Sequence, residues 1–353
     1  MPHFVKKHLI KISFLLVLVF LWLFCLPKNL FQDPISTVLK SREGLMLGAR
    51  IANDGQWRFP QQDSVPYRFE QCILNFEDEY FYAHPGFNPI SISKALWGNL
   101  STKKRRGGST ITQQVIRLSR KNQQRTYLEK LVEIFKATRL ELRASKEEIL
   151  NLYATYAPFG GNVVGLETAS WRYFGTSAQD LSWGQTAALA VLPNAPALIF
   201  PGKNETIFKE KRDRLLLKLF ANEVIDKTTY ELAIAEKLPG KPLKLPEIAP
   251  HLTEKLRNDH QGKQLTSTIQ YSLQQQVNEI ARKNYEVLRQ NEIHNLAILV
   301  LNVNTKEVLA YVGNSPTTKA HSNYVDIIQR SRSTGSILKP FLYAAMLDEG
   351  ELL

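Results

Sequence analysis

Two cysteines in 353 residues, Cys25 and Cys72, are too few for a disulfide framework, although they do not exclude an oxidising compartment. Histidine is scarce as well, seven in all, and no Cys/His cluster has zinc spacing, so no structural metal is expected. Internal repeats and long low-complexity tracts are absent. So is a P-loop, because no Gly-Lys-Ser/Thr follows the pair Gly107–Gly108 at the required distance. Acidic residues are the minority, 33 against 45 basic, and the formal net charge is +12. That balance favours an anionic partner: nucleic acid, a membrane surface or a phosphorylated substrate.

A single long apolar run is present, "ISFLLVLVFLWLFCL" from Ile12 to Leu26, with Lys6, Lys7 and Lys11 ahead of it. Ile10 and a snorkelling Lys11 extend it toward the roughly 20 residues of a membrane span. "FCLPKNLF" offers no small residues for signal cleavage, and bulky Phe24 before Cys25 does not suit lipoprotein processing. The expectation is a cytoplasmic tail over 1–9, an uncleaved transmembrane anchor over 10–26, and the remainder outside. That position argues against nucleic acid and assigns the charge to phospholipid or a lipid-linked phosphate.

Residues 27–60 contain β-like pieces, "STVLKSR" and "LMLGARIA", which predict a short β-containing stalk. A helical pattern follows over 61–237, with start signals at Thr126/Glu129, Ser145/Glu148 and Ser182/Gln185. "LPGKPLKLPEIAP" opens a linker, 238–262. The last part, 263–353, holds a helix candidate, "IQYSLQQQVNEIARKNYEVLRQN", then a strand pair with a turn at Asn304–Lys306.

Three fragments in the helical part carry polar chemistry. "FEDEYFYAHPGFNP" sets Glu77, Asp78, His84 and Gly86 among aromatics, where a carboxylate can hold a raised pKa and act as a base. Read alone it is more simply an acidic helix face over an aromatic core, and His84 alone a structural histidine. "RRGGSTITQQVIR" combines two glycines with Ser109, Thr110, Thr112, Gln113 and Gln114, flanked by Arg105, Arg106 and Arg117, which suit phosphate. Alone it is also a flexible loop before a polar helix. In "TYLEKLVEIFKATRLELRAS", Lys130 and Glu133 share one helix face while Leu131, Ile134, Phe135 and Thr138 line another. Alone, that pair is a surface ion pair.

Together and in order, "EDEYFYAHPG", "GGSTITQQ", "EKLVEIFKATRLE", "KEEILNLYATYAPFGGNVVGLETASWRYFG" and "AALAVLPNAPALIFPGKN" resemble the five motifs of the peptidoglycan glycosyltransferases of class A penicillin-binding proteins. The resemblance covers about Phe69 to Asn204. "DPISTVLKSREGLMLGARIANDGQWRFP" and "YAPFGGN" are similar to the penicillin-binding protein 1C subgroup. Departures exist. Asn151 and Ala154–Thr155 replace a more usual glutamate and Leu-Asn of the fourth motif, and Glu129 stands where many relatives carry arginine.

The resemblance implies a mainly α, lysozyme-like glycosyltransferase domain behind a transmembrane helix, followed by an incomplete α/β transpeptidase domain. It implies polymerisation of lipid II into β-1,4-linked glycan at the outer face of the bacterial cytoplasmic membrane, with release of undecaprenyl pyrophosphate. Glu77 would be the general base. Glu133 would orient Lys130 or a divalent cation such as magnesium at the pyrophosphate. Asp78, His84, Ser109, Thr110, Thr112, Gln113, Gln114, Arg117 and Lys130 would bind substrate. Implied partners are lipid II, the growing glycan chain, membrane lipid and other cell-wall synthesis proteins. No resident cofactor or metal follows from it. The segment "GFNPISISKALWGNL", with Phe87, Ile90, Ile92, Leu96 and Trp97, would either dip into the interface or form an ordinary core helix.

Ser-x-x-Lys recurs three times, at Ser91–Lys94, Ser101–Lys104 and Ser336–Lys339. Only "RSTGSILKPF", after the strand pair, resembles a transpeptidase acylation motif, with Ser336 as nucleophile and Lys339 as proton acceptor. The downstream Ser-x-Asn and Lys-Thr/Ser-Gly elements do not occur before Leu353. The expectation is a truncated domain in which Ser336 is inactive. Two other readings remain at this stage: a lytic, lysozyme-type hydrolase and a catalytically silent scaffold for wall synthesis.

Overall fold

Hydroxyl side chains start several helices of this chain. Ser145 Oγ accepts from Glu148 N at 3.2 Å while Glu148 Oε2 accepts from Ser145 N at 2.7 Å, and Ser182 and Gln185 repeat the exchange at 3.1 Å each way. Thr126 Oγ1 accepts from Glu129 N at 3.1 Å, but the Glu129 carboxylate turns to Arg120 instead of closing a box. Such caps satisfy amides that a helix cannot, at about 1 kcal/mol each.

The computed structural model describes residues 2–90, 93, 108–121, 123, 126–194, 198–331 and 333–351. Ile92, Leu96, Trp97, Arg105 and Arg106 lie outside the described residues, as do Ser91, Lys94, Ser101 and Lys104. The chain divides into two compact units, one of Met1–Leu39, Gly48–Pro246 and Arg257–Leu265, the other of Lys40–Leu47, Glu247–Leu256 and Thr266–Leu353.

Helix α1 (Pro2–Leu23) precedes three short strands, β1 (Thr37–Lys40), β2 (Met46–Arg50) and β3 (Trp57–Arg58); of these, Lys40, Met46 and Leu47 belong to the second unit and the rest to the first. Then come α2 (Tyr67–Glu77), α3 (Ile111–Ser119), α4 (Tyr127–Glu141) and α5 (Lys146–Tyr156). Strand β4 (Val163–Val164) pairs in parallel with β3, and α6 (Leu166–Phe174), α7 (Trp183–Val191), α8 (Glu205–Ala221) and α9 (Lys227–Ala235) complete the unit. Helix α7 is its axis. "TAALAV" is buried all round, and its small alanines let α2 and α8, which also touch each other, pack closely against it. Phe69, Ile73, Phe81, Ile111, Ile116, Ile149, Tyr153 and Phe208 fill the same core.

Helix α1 contains the apolar run only in part. Three lysines occupy its first half, so Ile12–Leu23 gives about 18 Å of apolar helix at 1.5 Å per residue, against roughly 30 Å of hydrocarbon. No helix among the described residues is long and apolar enough to cross a membrane. The end of α1 is held against α4: Trp22 Nε1 donates to Thr138 Oγ1 at 3.0 Å, and Arg139 Nε donates to Leu23 O at 3.1 Å.

In the second unit, α10 (Tyr271–Leu288) packs on the antiparallel pair β5 (Ile298–Leu301) and β6 (Val308–Val312), around Val277, Ala281, Ala310 and Val312. The turn between the strands carries Lys306 at φ +62°. A last helix, α11 (Lys339–Asp348), buries none of its residues; Phe341 is 71% exposed and Leu342 61%.

Candidate active site

Helix α3 organises the site, and its start is fixed by a carboxylate 33 residues upstream. Asp78, buried at the end of α2, accepts from Ile111 N at 3.0 Å, the first amide of α3. The same carboxylate accepts from His84 Nε2 at 2.9 and 3.1 Å. The His84 tautomer follows from its neighbours. Gly86 N donates to Nδ1 at 3.1 Å, so that nitrogen is bare and the proton sits on Nε2.

Gly86 is where the backbone must pass close to α4. Its φ is +90°, and a Cβ there would lie 2.8 Å from the Ala137 carbonyl group. Gly86 O in turn accepts from Thr110 Oγ1 at 2.7 Å and from Gln113 Nε2 at 3.3 Å. Thr110 caps α3, accepting from Gln113 N at 3.2 Å. Asp78, His84 and Thr110 thus bond one another's segments in the interior.

The two consecutive glutamines of α3 point to opposite partners. Gln114 Nε2 donates to Glu77 Oε2 at 2.8 Å. Gln113 Oε1 accepts from Lys130 Nζ, which also donates to Ser109 Oγ at 2.7 Å and meets Glu133 Oε2 at 3.4 Å. Glu133 is buried on α4, whereas Leu131 and Phe135, on the apolar face read from the sequence, are exposed. The helix therefore turns Glu133 inward, with Ala137 and Leu140, and Leu128 and Leu131 outward.

Glu77 is half-buried, and burial pushes its carboxyl above the usual range despite the Gln114 and Asn194 amides and the Arg117 and Lys211 charges. Asn194 Nδ2 donates to Glu77 Oε1 at 3.0 Å, and Lys211 Nζ donates to Asn194 Oδ1 at 3.2 Å. Burial lowers Lys211, and the fully buried Tyr153 hydroxyl, beside Glu77 and Arg117, is pushed far up. A cleft of about 210 Å³ opens beside Glu77, lined by Asn75, Tyr80, Asn88, Ser109, Thr110 and Lys218 among others.

The structure thus gathers Glu77, Ser109, Gln113, Gln114, Arg117, Lys130 and Glu133 around α3, and buries Asp78, His84 and Thr110 behind them. Thr112 faces elsewhere: its hydroxyl donates to Glu141, which also accepts from Lys146 Nζ at 2.8 Å. Ser336 and Lys339 are both exposed, in the second unit. Among the described residues no three His, Cys, Asp or Glu side chains gather to hold a metal. Asn194, Lys211 and Glu141 were missed in the sequence reading. Asn194 lies in the fifth motif as "LPNAP", but its contact is with a residue 117 positions away.

The transglycosylase family model matches residues 46–220, which hold all of these site residues in the first unit. Penicillin-binding protein 1C of Escherichia coli is 33% identical over 92% of this chain and 42% of its own length. Penicillin-binding protein 1B of the same organism is 28% identical over 85% of this chain and 38% of its own length. A monofunctional glycosyltransferase of Staphylococcus aureus is 33% identical over 50% of this chain and 69% of that protein. The chain spans about two fifths of the length of the two Escherichia coli relatives. The chain belongs to the transglycosylase family, among class A penicillin-binding proteins of the 1C type.

Proposed function

We propose that this chain is a peptidoglycan glycosyltransferase that polymerises lipid II. The observation that carries the reading is the pair Gln113–Gln114, which positions a cation, Lys130, and a raised carboxyl, Glu77, from adjacent places on one helix. Glu77 takes the proton of the acceptor 4-hydroxyl as that oxygen attacks the anomeric carbon of the donor. The bond from that carbon to pyrophosphate breaks, the electron pair leaves with the pyrophosphate, and the α linkage becomes β. Such a leaving group needs no proton donor. It needs positive charge, from Lys130 and Arg117, and polar hydrogens, from Ser109. Glu133 steadies Lys130 for that role. If a divalent cation assists, Glu133 is the carboxylate beside Lys130 that would hold it, and the cation would add charge for the pyrophosphate.

Asp78 and His84 act in this reading by fixing the start of α3, not by touching sugar. Membrane attachment is supported by two apolar surfaces on joined helices: Leu15, Leu16, Phe20 and Phe24 at α1, and Leu128, Leu131 and Phe135 on α4, all exposed. We read α1, with the apolar residues that follow it, as the anchor and α4 as the face laid on the bilayer. For Ser336 the reading is an idle motif. An acylating serine needs its proton acceptor and oxyanion donors held together, and both side chains here stand in solvent, so labelled penicillin should leave no covalent band on the 353-residue chain.

The test is detergent-solubilised protein with labelled lipid II, resolved on a gel. Long glycan is expected from the native chain and none from Glu77→Gln, which should still bind lipid II. Cleavage of added glycan in place of polymer would replace the transferase with a lytic hydrolase, and substantial turnover by Glu77→Gln would remove the base.

A further inference from the structure

The Asn194 amide has only one orientation that its neighbours accept. Lys211 Nζ is a donor and nothing else, so the Asn194 atom 3.2 Å from it is the oxygen. That leaves Asn194 Nδ2 facing Glu77 Oε1 at 3.0 Å. Rotating the amide by half a turn would set its NH₂ against an ammonium and its oxygen against a carboxylate. Two unfavourable contacts would replace two favourable ones.

Glu77 is then gripped at both oxygens, by Gln114 at Oε2 and by Asn194 at Oε1. The grips come from different helices and loops: Gln114 from α3, Asn194 from the segment after α7, and Lys211 from α8. A carboxylate held from two sides keeps its rotamer, and the lone pairs left over have fixed directions. The charged or titratable groups facing Glu77 are Arg117 of α3, Lys211 of α8 and Tyr153 of α5, and Arg214 stands next to Lys211.

We propose that Asn194 and Lys211 are positioning residues for the base: Lys211 sets which way the Asn194 amide faces, and Asn194 fixes the Glu77 carboxylate. This rests on Glu77 being the base. Neither residue need touch the reacting atoms. The pair has a signature that a general structural role lacks, because both groups favour the ionised carboxylate and the contribution of Asn194 depends on Lys211 orienting its amide.

The experiment measures kcat/KM for lipid II polymerisation against pH in Asn194→Ala, Lys211→Met, Lys211→Arg and the Asn194→Ala/Lys211→Met double variant. The acid limb should move to higher pH by about one unit in Asn194→Ala and in the same direction in Lys211→Met. Lys211→Arg, which keeps a donor-only cation, should restore most of the native profile. The double variant should be no worse than the poorer single one. Rates that fall with the limb in place would overturn the proposal, and so would losses that multiply in the double variant. Glu77→Gln, run alongside, separates the layers: if it polymerises, the underlying base assignment fails. If it is inactive and the limb does not move in the other variants, only the role of Asn194 and Lys211 fails.

Discussion

Asp78→Asn removes one charge and almost no volume from the interior, which makes it an informative test of how α3 is held. The native carboxylate accepts from two donors, His84 Nε2 at 2.9 Å and Ile111 N at 3.0 Å. Both contacts fall on Oδ2, so an asparagine with its oxygen there keeps them but sets its NH₂ where Oδ1 now accepts from His84 Nε2 at 3.1 Å. Replacing that charge-assisted contact by donor facing donor costs about 1.5–3 kcal/mol. Losing negative charge at a helix start adds about 0.3–1 kcal/mol. The total is about 2–4 kcal/mol, or some 4–16 °C of Tm for a unit of this size. Thermal unfolding followed by circular dichroism in detergent would measure it. A Tm within 2 °C of native would refute the argument that Asp78 anchors α3. Turnover measured well below the new midpoint should be only partly lost, since α3 keeps its Thr110 cap.

Lys130→Ala should lower polymerisation by about 10²-fold or more, because it deletes a charge aimed at the leaving group and leaves Glu133 buried without its cation; single-turnover kinetics would read this directly. The rate should rise with pH along a limb set by Glu77. Its carboxyl is raised by burial, and the base works only when ionised, so activity falls as pH drops through a midpoint above the ordinary carboxylate range. Gly86→Ala should destabilise the protein by a few kcal/mol, about 1–3 of them from the positive φ, and should cut turnover too, because Gly86 O holds both Thr110 and Gln113. Unfolding midpoints and gel-resolved product from one preparation check both halves.

Much of the local structure is legible in the residue order. The boxes at Ser145/Glu148 and Ser182/Gln185 form as their spacing predicts, and the strand pair turns where Asn304–Lys306 sits. These are short-range effects, decided within a few residues. Thr126/Glu129 shows the limit: the spacing is right, but Arg120 offers the Glu129 carboxylate a stronger partner than a backbone amide. The direction of α4 was less readable. Periodicity finds its apolar face yet cannot tell whether that face meets core or surroundings, and here Leu131 is 63% exposed while Glu133 is buried. Least readable are the contacts that join distant segments, such as Thr112 with Glu141 or Asn194 with Glu77, because they depend on how helices cross.

The clamp between α1 and α4 fixes a distance. Arg139, which donates to Leu23 O, lies nine residues beyond Lys130 on one continuous helix, about 14 Å along its axis. Trp22 bonds Thr138 beside it, and Arg143 donates to Pro27 O and Lys28 O just past the helix end. Whatever surface carries α1 therefore carries the Lys130 ammonium at a set height, as a lathe bed carries its tool post. If the site polymerises as proposed, the growing chain must thread past a catalytic level that neither rises nor sinks with it.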